Sequence, residues 1–140
     1  MSSLVDPEAL LIAALRDVVP AGTLVELSTD TDVGNSQRAV LLSTVDGDPI
    51  RNAAFNLAQV YIVAVVVLSR DRGTAKKFAD EVFGHITGLE GQHVPGRGFV
   101  STVDSATLPI RSPRPTATPN VATYTQFNFQ ITLRVKPEQP

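Results

Sequence analysis

The sequence predicts an α+β fold with elements in the order α-β-β-β-α-β-β, and three patterns carry that prediction. Two segments, one near the N-terminus and one in the middle, place apolar residues at i, i+3, i+4 spacing, as a helix with one buried stripe does. The segment Gln59 to Ser69 is apolar at both odd and even positions, as in a strand covered on both faces. The segment Gln126 to Val135 alternates apolar and polar residues without a break, as in a strand with one wet face.

The first helix has start and stop signals. Asp6 can cap it, Pro7 suits the first helical position, and Glu8 favours the positive end of the helix dipole. Leu11, Ala14, Leu15 and Val18 recur at helical spacing beside Leu10, and Pro20-Ala21-Gly22 ends the pattern. A short strand over Thr23 to Leu27 follows. Ser28 to Arg38 is polar, acidic and contains glycine, so it reads as a loop. Ala39 to Val45 reads as a second strand, closed by the turn composition Asp46-Gly47-Asp48-Pro49.

In the third strand Val60, Ile62, Ala64, Val66 and Leu68 share one face, and Tyr61, Val63, Val65 and Val67 share the other. Something must pack on each side, and two helices supply only part of that cover. The second helix begins near Asp71-Arg72-Gly73-Thr74 and runs to about Leu89, with Ala75, Phe78, Ala79, Val82, Ile86 and Leu89 as its stripe. Lys76, Lys77, Asp80 and Glu81 form its solvated face, at spacings that allow Lys76–Asp80 and Lys77–Glu81 pairs.

Arg97 to Leu108 is a weaker strand pattern. Leu108 to Asn120 carries Pro109, Pro113, Pro115 and Pro119, which forbid a helix or a central strand and predict a long loop or extended arm. In the last strand Phe127, Phe129, Ile131, Leu133 and Val135 face a core, while Gln126, Asn128, Gln130, Thr132 and Arg134 form a polar, mostly uncharged face. Pro137 to Pro140 reads as a frayed tail. There is no internal repeat, and the 140 residues are expected to form a single domain.

Composition narrows the chemistry. The chain is 43% hydrophobic with a formal charge of -2, and its longest apolar run, Val60 to Leu68, is strand length rather than bilayer length. No membrane span and no secretory leader are expected. A near-neutral charge gives no electrostatic footprint for a specific nucleic-acid partner. There is no cysteine, which excludes disulfides, thiolate metal sites and thiol nucleophiles.

The two histidines, His85 on the second helix and His93 in the loop Gly91 to Gly96, have no metal-ligand spacing and read as surface residues. Asp30, Asp32, Asp46 and Asp48 invite comparison with a calcium loop, but the glycine and glutamate that such a loop requires are missing. Carboxylates bonding local backbone at turns is the simpler reading. Gly96-Arg97-Gly98 is too short to cradle phosphate, and neither Gly-x-Ser-x-Gly nor Ser-x-x-Lys occurs. Arg111, Arg114 and Lys136 are too few, and lack interleaved aromatics, for a nucleic-acid site. No catalytic, metal or cofactor-binding residue is therefore assigned, and no enzyme is expected.

Taken in order, the N-terminal helix DPEALLIAALRDVVPAG, the strand and helix VYIVAVVVLSRDRGTAKKFADEVFGHITGLEG, and the proline-rich connection to PNVATYTQFNFQITLRVK resemble the tail-terminator (minor tail) proteins of long-tailed bacteriophages. The resemblance covers nearly the whole chain and rests on pattern and order. It implies a mixed, mostly antiparallel sheet flanked by the two helices. It also implies a virion protein of the tail and neck, made in the host cytoplasm, that forms a homo-hexameric ring on the tail tube. Such a ring stops tube polymerisation and joins a head-side connector protein. The candidate interface residues are Gln126, Asn128, Gln130, Thr132, Arg134, Arg111 and Arg114, and the loops 28–38 and 108–120 are candidate arms. A head-completion or neck connector protein of the same particle fits the same pattern. A small cytoplasmic ligand-binding α+β domain is the reading from another class, and it predicts a concave pocket with convergent polar groups.

Overall fold

The computed structural model describes residues 4–27, 36–50, 58–105, 107–112 and 124–137. Helix α1 (Pro7–Arg16) starts where its cap residues place it: the Asp6 carboxylate accepts the amides of Glu8 at 3.0 Å and Ala9 at 3.1 Å, satisfying two of the donors a helix start leaves free. It ends earlier than its stripe predicts. Val18, read as the last member of that stripe, lies past the helix and is 46% exposed. The chain then turns through Gly22, whose φ of +83° is the left-handed region that glycine enters without strain.

Strand β1 (Thr23–Leu27) runs parallel to β2 (Arg38–Ile50), and every other strand pairing is antiparallel. The second strand is longer than predicted, because Asp46 to Ile50 continue it where the sequence reads as a turn. Cross-strand pairing overrides local turn chemistry here. Asp46 to Ile50 pair residue by residue with Ile62 to Ala58 of β3 (Ala58–Ser69), after a register shift between Thr44 and Asp46 that absorbs the irregularity as a bulge. Gly47 fits because it has no side chain: a Cβ there would lie 2.6 Å from Tyr61 Cδ1.

Helix α2 (Ala75–Thr87) buries Ala75, Phe78, Ala79, Val82 and Ile86, five of the six residues of its predicted stripe. On its solvated side Lys76 Nζ meets Asp80 Oδ2 at 2.7 Å, whereas Lys77 and Glu81 line a small hollow with Arg38 and Phe78. Two short strands add to the predicted order. Strand β4 (Gln92–Val94) takes His93 out of its predicted loop and pairs it with Phe99 of β5 (Gly98–Ser105). Strand β6 (Ile110–Arg111) occupies the gap between Pro109 and Pro113, where two residues can still pair with β7 (Thr125–Lys136). Residues 113–120 of the predicted arm, and 28–35 of the acidic loop, lie outside the described residues.

The sheet is therefore mixed and mostly antiparallel, in the order β1-β2-β3-β7-β5-β4 with β6 beside β7. Both helices lie on one face and touch each other. Between them and the sheet sits the core: Leu10, Leu11 and Leu15 of α1 and Phe78, Val82 and Ile86 of α2 meet Val63, Val65 and Val67 of β3 and Phe129, Ile131 and Leu133 of β7. Each of these large apolar side chains, removed from water, contributes about 1.5–3 kcal/mol.

The hairpin joining β4 to β5 closes against the N-terminal segment through Gly98, whose φ is +150°. A Cβ at this position would lie 2.9 Å from Lys136 O and 3.3 Å from Val5 Cγ2. Gly98→Ala combines disfavoured backbone with a clash against main chain, so it is expected to destabilise by about 1–3 kcal/mol. Urea denaturation checks this. Gly96→Ala, in open space with a φ of +74°, isolates the backbone part of the cost.

Candidate assembly surface

The helices cover one face of the sheet and leave the other to a different set of side chains. In antiparallel pairs, opposed residues share a face. Phe127, Phe129, Ile131, Leu133 and Val135 point into the core, so Gln126, Asn128, Gln130, Thr132 and Arg134 line the opposite face. Their partners on β3 are Leu68, Val66, Ala64, Ile62 and Val60, in that order. The face is thus an aliphatic half on β3, continued by Leu41 and Ala39 of β2, beside an amide and hydroxyl half on β7. Asn128 and Arg134 are exposed, while Val60, Ile62, Ala64 and Val66 are half-buried by their neighbours. Gln126 Nε2 donates to Asn128 Oδ1 at 2.9 Å, so the ladder is partly ordered before anything lands on it.

Only one corner of this face is closed among the described residues. Tyr124 is buried against Ala39 and Leu68, with Leu24, Leu41 and Val66 packed around them. Its hydroxyl donates to Ser36 O at 2.6 Å, and the Arg70 guanidinium lies 5.5 Å from its ring centre. Tyr124 therefore ties the start of β7 to the segment that enters β2. Sequence reasoning did not assign a role to Tyr124. The apolar even positions of Gln59 to Ser69 did signal that the second face needs a partner.

Arg111, the sixth predicted contact residue, lies apart from the ladder. It pairs with Phe127 and so takes the helix side of the sheet, in an open cleft of about 500 Å³ lined by Arg72, Lys76, Ile110, Arg111, Thr125 and Phe127. Arg114, the seventh, falls outside the described residues. A smaller hollow of about 170 Å³ lies between Pro20, Arg38, Thr74, Lys77, Phe78 and Glu81, and the Arg38 guanidinium sits 5.7 Å from the Phe78 ring centre beside it.

The residues weighed for chemistry are dispersed. His85 is exposed near the end of α2, and His93 rests at 4.8 Å on the Phe99 ring. The Asp46 carboxylate accepts the next amide, Gly47 N, at 2.8 Å, which is the local backbone role expected for it. Asp30 and Asp32 lie outside the described residues. Among the described residues no group of three or more His, Cys, Asp or Glu could hold a metal ion, and no helix is long and apolar enough to cross a membrane.

With this geometry in view, the fold has a counterpart. A chain in the virion of a native gene transfer agent particle superposes with a TM-score of 0.62, covering 93% of this chain and 94% of that one at 17% identity. At that identity the likeness establishes the shared fold. No protein-family model matches the chain, and no curated protein matches it.

One titration reports on the closed side of the sheet. Burial, followed by the nearby Asp6 carboxylate, raises the Tyr61 phenol above its ordinary value of 10.0. Its hydroxyl donates to Gln59 Oε1 at 3.2 Å, the same oxygen that accepts Val5 N at 2.7 Å. A raised acid pKa means the unfolded state loses its proton first. Stability should therefore be full below pH 10 and fall as pH rises from there through the folded value. Absorbance at alkaline pH should show a late-titrating phenol component, and Tyr61→Phe should remove that component and soften the alkaline loss of stability.

Proposed function

We propose that this chain is a non-enzymatic structural protein of a virion, and more narrowly a tail terminator. In this reading it forms a homo-hexameric ring on the end of the tail tube, stops tube growth and offers the opposite side to a head-side connector protein. The observation that carries the reading is the fold shared almost end to end with a chain of a virion particle. The open sheet face gives that reading a physical basis. Its aliphatic half supplies area to remove from water, and its amide half supplies hydrogen bonds that fix register without charge. A ring requires a heterologous contact that closes by rotation, in which this face meets a different surface of the next copy. Gln126, Asn128, Gln130, Thr132 and Arg134 are the contact residues of the polar half.

A near-neutral chain suits a ring through which DNA passes, because retention of DNA needs clustered positive charge. The experiment is to add the purified protein to polymerising tail tubes and measure tube length and end occupancy by electron microscopy. Uniform tubes with a ring at one end are expected. Tubes that grow unchecked and bare, with the connector recruited instead, would replace the terminator role with that of a head-completion protein.

A further inference from the structure

We infer that the β6 edge and the cationic cleft beneath it form a docking site for an extended polypeptide segment in which acidic and aliphatic residues alternate. This goes beyond the ring and does not depend on it.

The first observation is an open strand edge. Strand β6 pairs with β7 through Ile110↔Asn128 and Arg111↔Phe127, and no strand pairs with its other side among the described residues. Ser112 N donates to Gln126 O at 2.8 Å, toward β7. Backbone groups alternate sides along an antiparallel strand, so the amide and carbonyl of Arg111 face outward. The neighbouring β5 edge is guarded. Strand β4 covers its start, and the Glu90 carboxylate accepts Val103 N at 3.1 Å. Among the described residues, the edge left open is the one beside the cleft.

The second observation is the difference between the two sides of that edge. On the helix side Arg111 joins Arg72 and Lys76, brought there because α2 begins close to the end of β3 and the start of β7. Lys76 is bridged to Asp80, but both side chains are more than half exposed, at 75% and 51%, so that bridge is weak and easily exchanged. Arg72 and Arg111 have no carboxylate within 4.0 Å among the described residues. Three cations thus face one committed carboxylate. Ile110 also borders the cleft, but its pairing with Asn128 sets it on the other side of the sheet, where it is 64% exposed, and Leu108 two residues before it is 66% exposed.

A strand added to this edge presents successive side chains to opposite faces. Those on the helix side meet Arg72, Lys76 and Arg111, which select carboxylates. Those on the other side meet Ile110, which selects an aliphatic residue. A nucleic-acid backbone would use the cations and could accept the outward amide, but it would leave the outward Arg111 carbonyl and the aliphatic side unmatched.

The test is fluorescence anisotropy of a short labelled peptide of alternating Glu and Val against the full-length protein. The comparison ligands are a block isomer of the same composition, with all Glu before all Val, and a duplex DNA. The alternating peptide should bind at least about tenfold more tightly than the block isomer and the DNA, a difference near 1.4 kcal/mol. Arg72→Glu and Arg111→Glu should each remove binding, and Ile110→Asp should weaken it. Arg97→Glu, on the exposed β4–β5 turn, should leave it unchanged. All four positions are exposed, so far-UV circular dichroism should show an intact fold in each variant. Equal binding of the two isomers, stronger binding of DNA, or indifference to Arg111→Glu would overturn the inference. A protein that caps tubes but ignores the alternating peptide removes this site alone. One that binds the peptide but ignores tubes removes the terminator reading alone.

Discussion

Replacing Phe129 by alanine should cost about 3–5 kcal/mol, a large share of the roughly 5–15 kcal/mol that holds a domain of this size. Phe129 sits in the middle of β7 at 2% exposure, opposite Val65 and beneath α2. Its ring meets that of Phe83 edge-on, with centroids 5.3 Å apart and planes at 78°. Two contributions are lost together: the transfer of a buried aromatic out of water, and the aromatic contact that adds about 0.5–1.5 kcal/mol beyond area. The site also collapses poorly. Its walls are a strand paired on both sides and a helix already packed against α1, so neither can move into the space. Guanidinium denaturation should show the midpoint falling at an unchanged slope. Phe129→Leu should recover more than half of the loss, because it refills most of the volume without the ring contact. If Phe129→Ala cost less than Phe83→Ala, the buried position would not be the anchor of this layer.

Much of this arrangement could be read from the residues themselves. Asp6 and Pro7 fix the start of α1 by local chemistry, and the unbroken alternation of Gln126 to Val135 fixes β7 and both of its faces. What the residues could not show is set by partners distant in sequence. The turn composition of Asp46 to Pro49 is real, yet β3 holds those residues extended, because eight further pairings continue the ladder around them. The parallel pairing of β1 with β2 is likewise a matter of register between separate segments. Strands β4 and β6 are too short to leave a period in the sequence. The cleft was missed for the same reason. Arg72 reads as part of the start of the second helix and Lys76 as part of its solvated face, until the topology sets both beside Arg111, some 35 to 39 positions away in the chain.

The apolar even positions of β3 lead to the other large effect. Ala64→Glu should abolish assembly while leaving the fold intact. Ala64 lies at the centre of the open face, between Ser43 of β2 and Gln130 of β7, with Ile62 and Val66 before and after it on the same side. In the isolated chain a glutamate there reaches water from a half-exposed position, so stability should change by less than about 1 kcal/mol. In an assembly that covers the face, the same carboxylate is buried without a partner among aliphatic and amide groups. Breaking a buried arrangement in that way costs about 3–5 kcal/mol per contact, a weakening of more than a hundredfold. Light scattering on the free protein and capping of tail tubes should both fail for Ala64→Glu and persist for Lys77→Glu, a charge reversal on the exposed side of α2. Ala64→Val separates charge from size: it enlarges the apolar half and should retain assembly. A protein that assembles and caps normally with a glutamate at position 64 has left this face open to water. The aliphatic surface of β3 would then be the wall of a lumen and not a contact between copies.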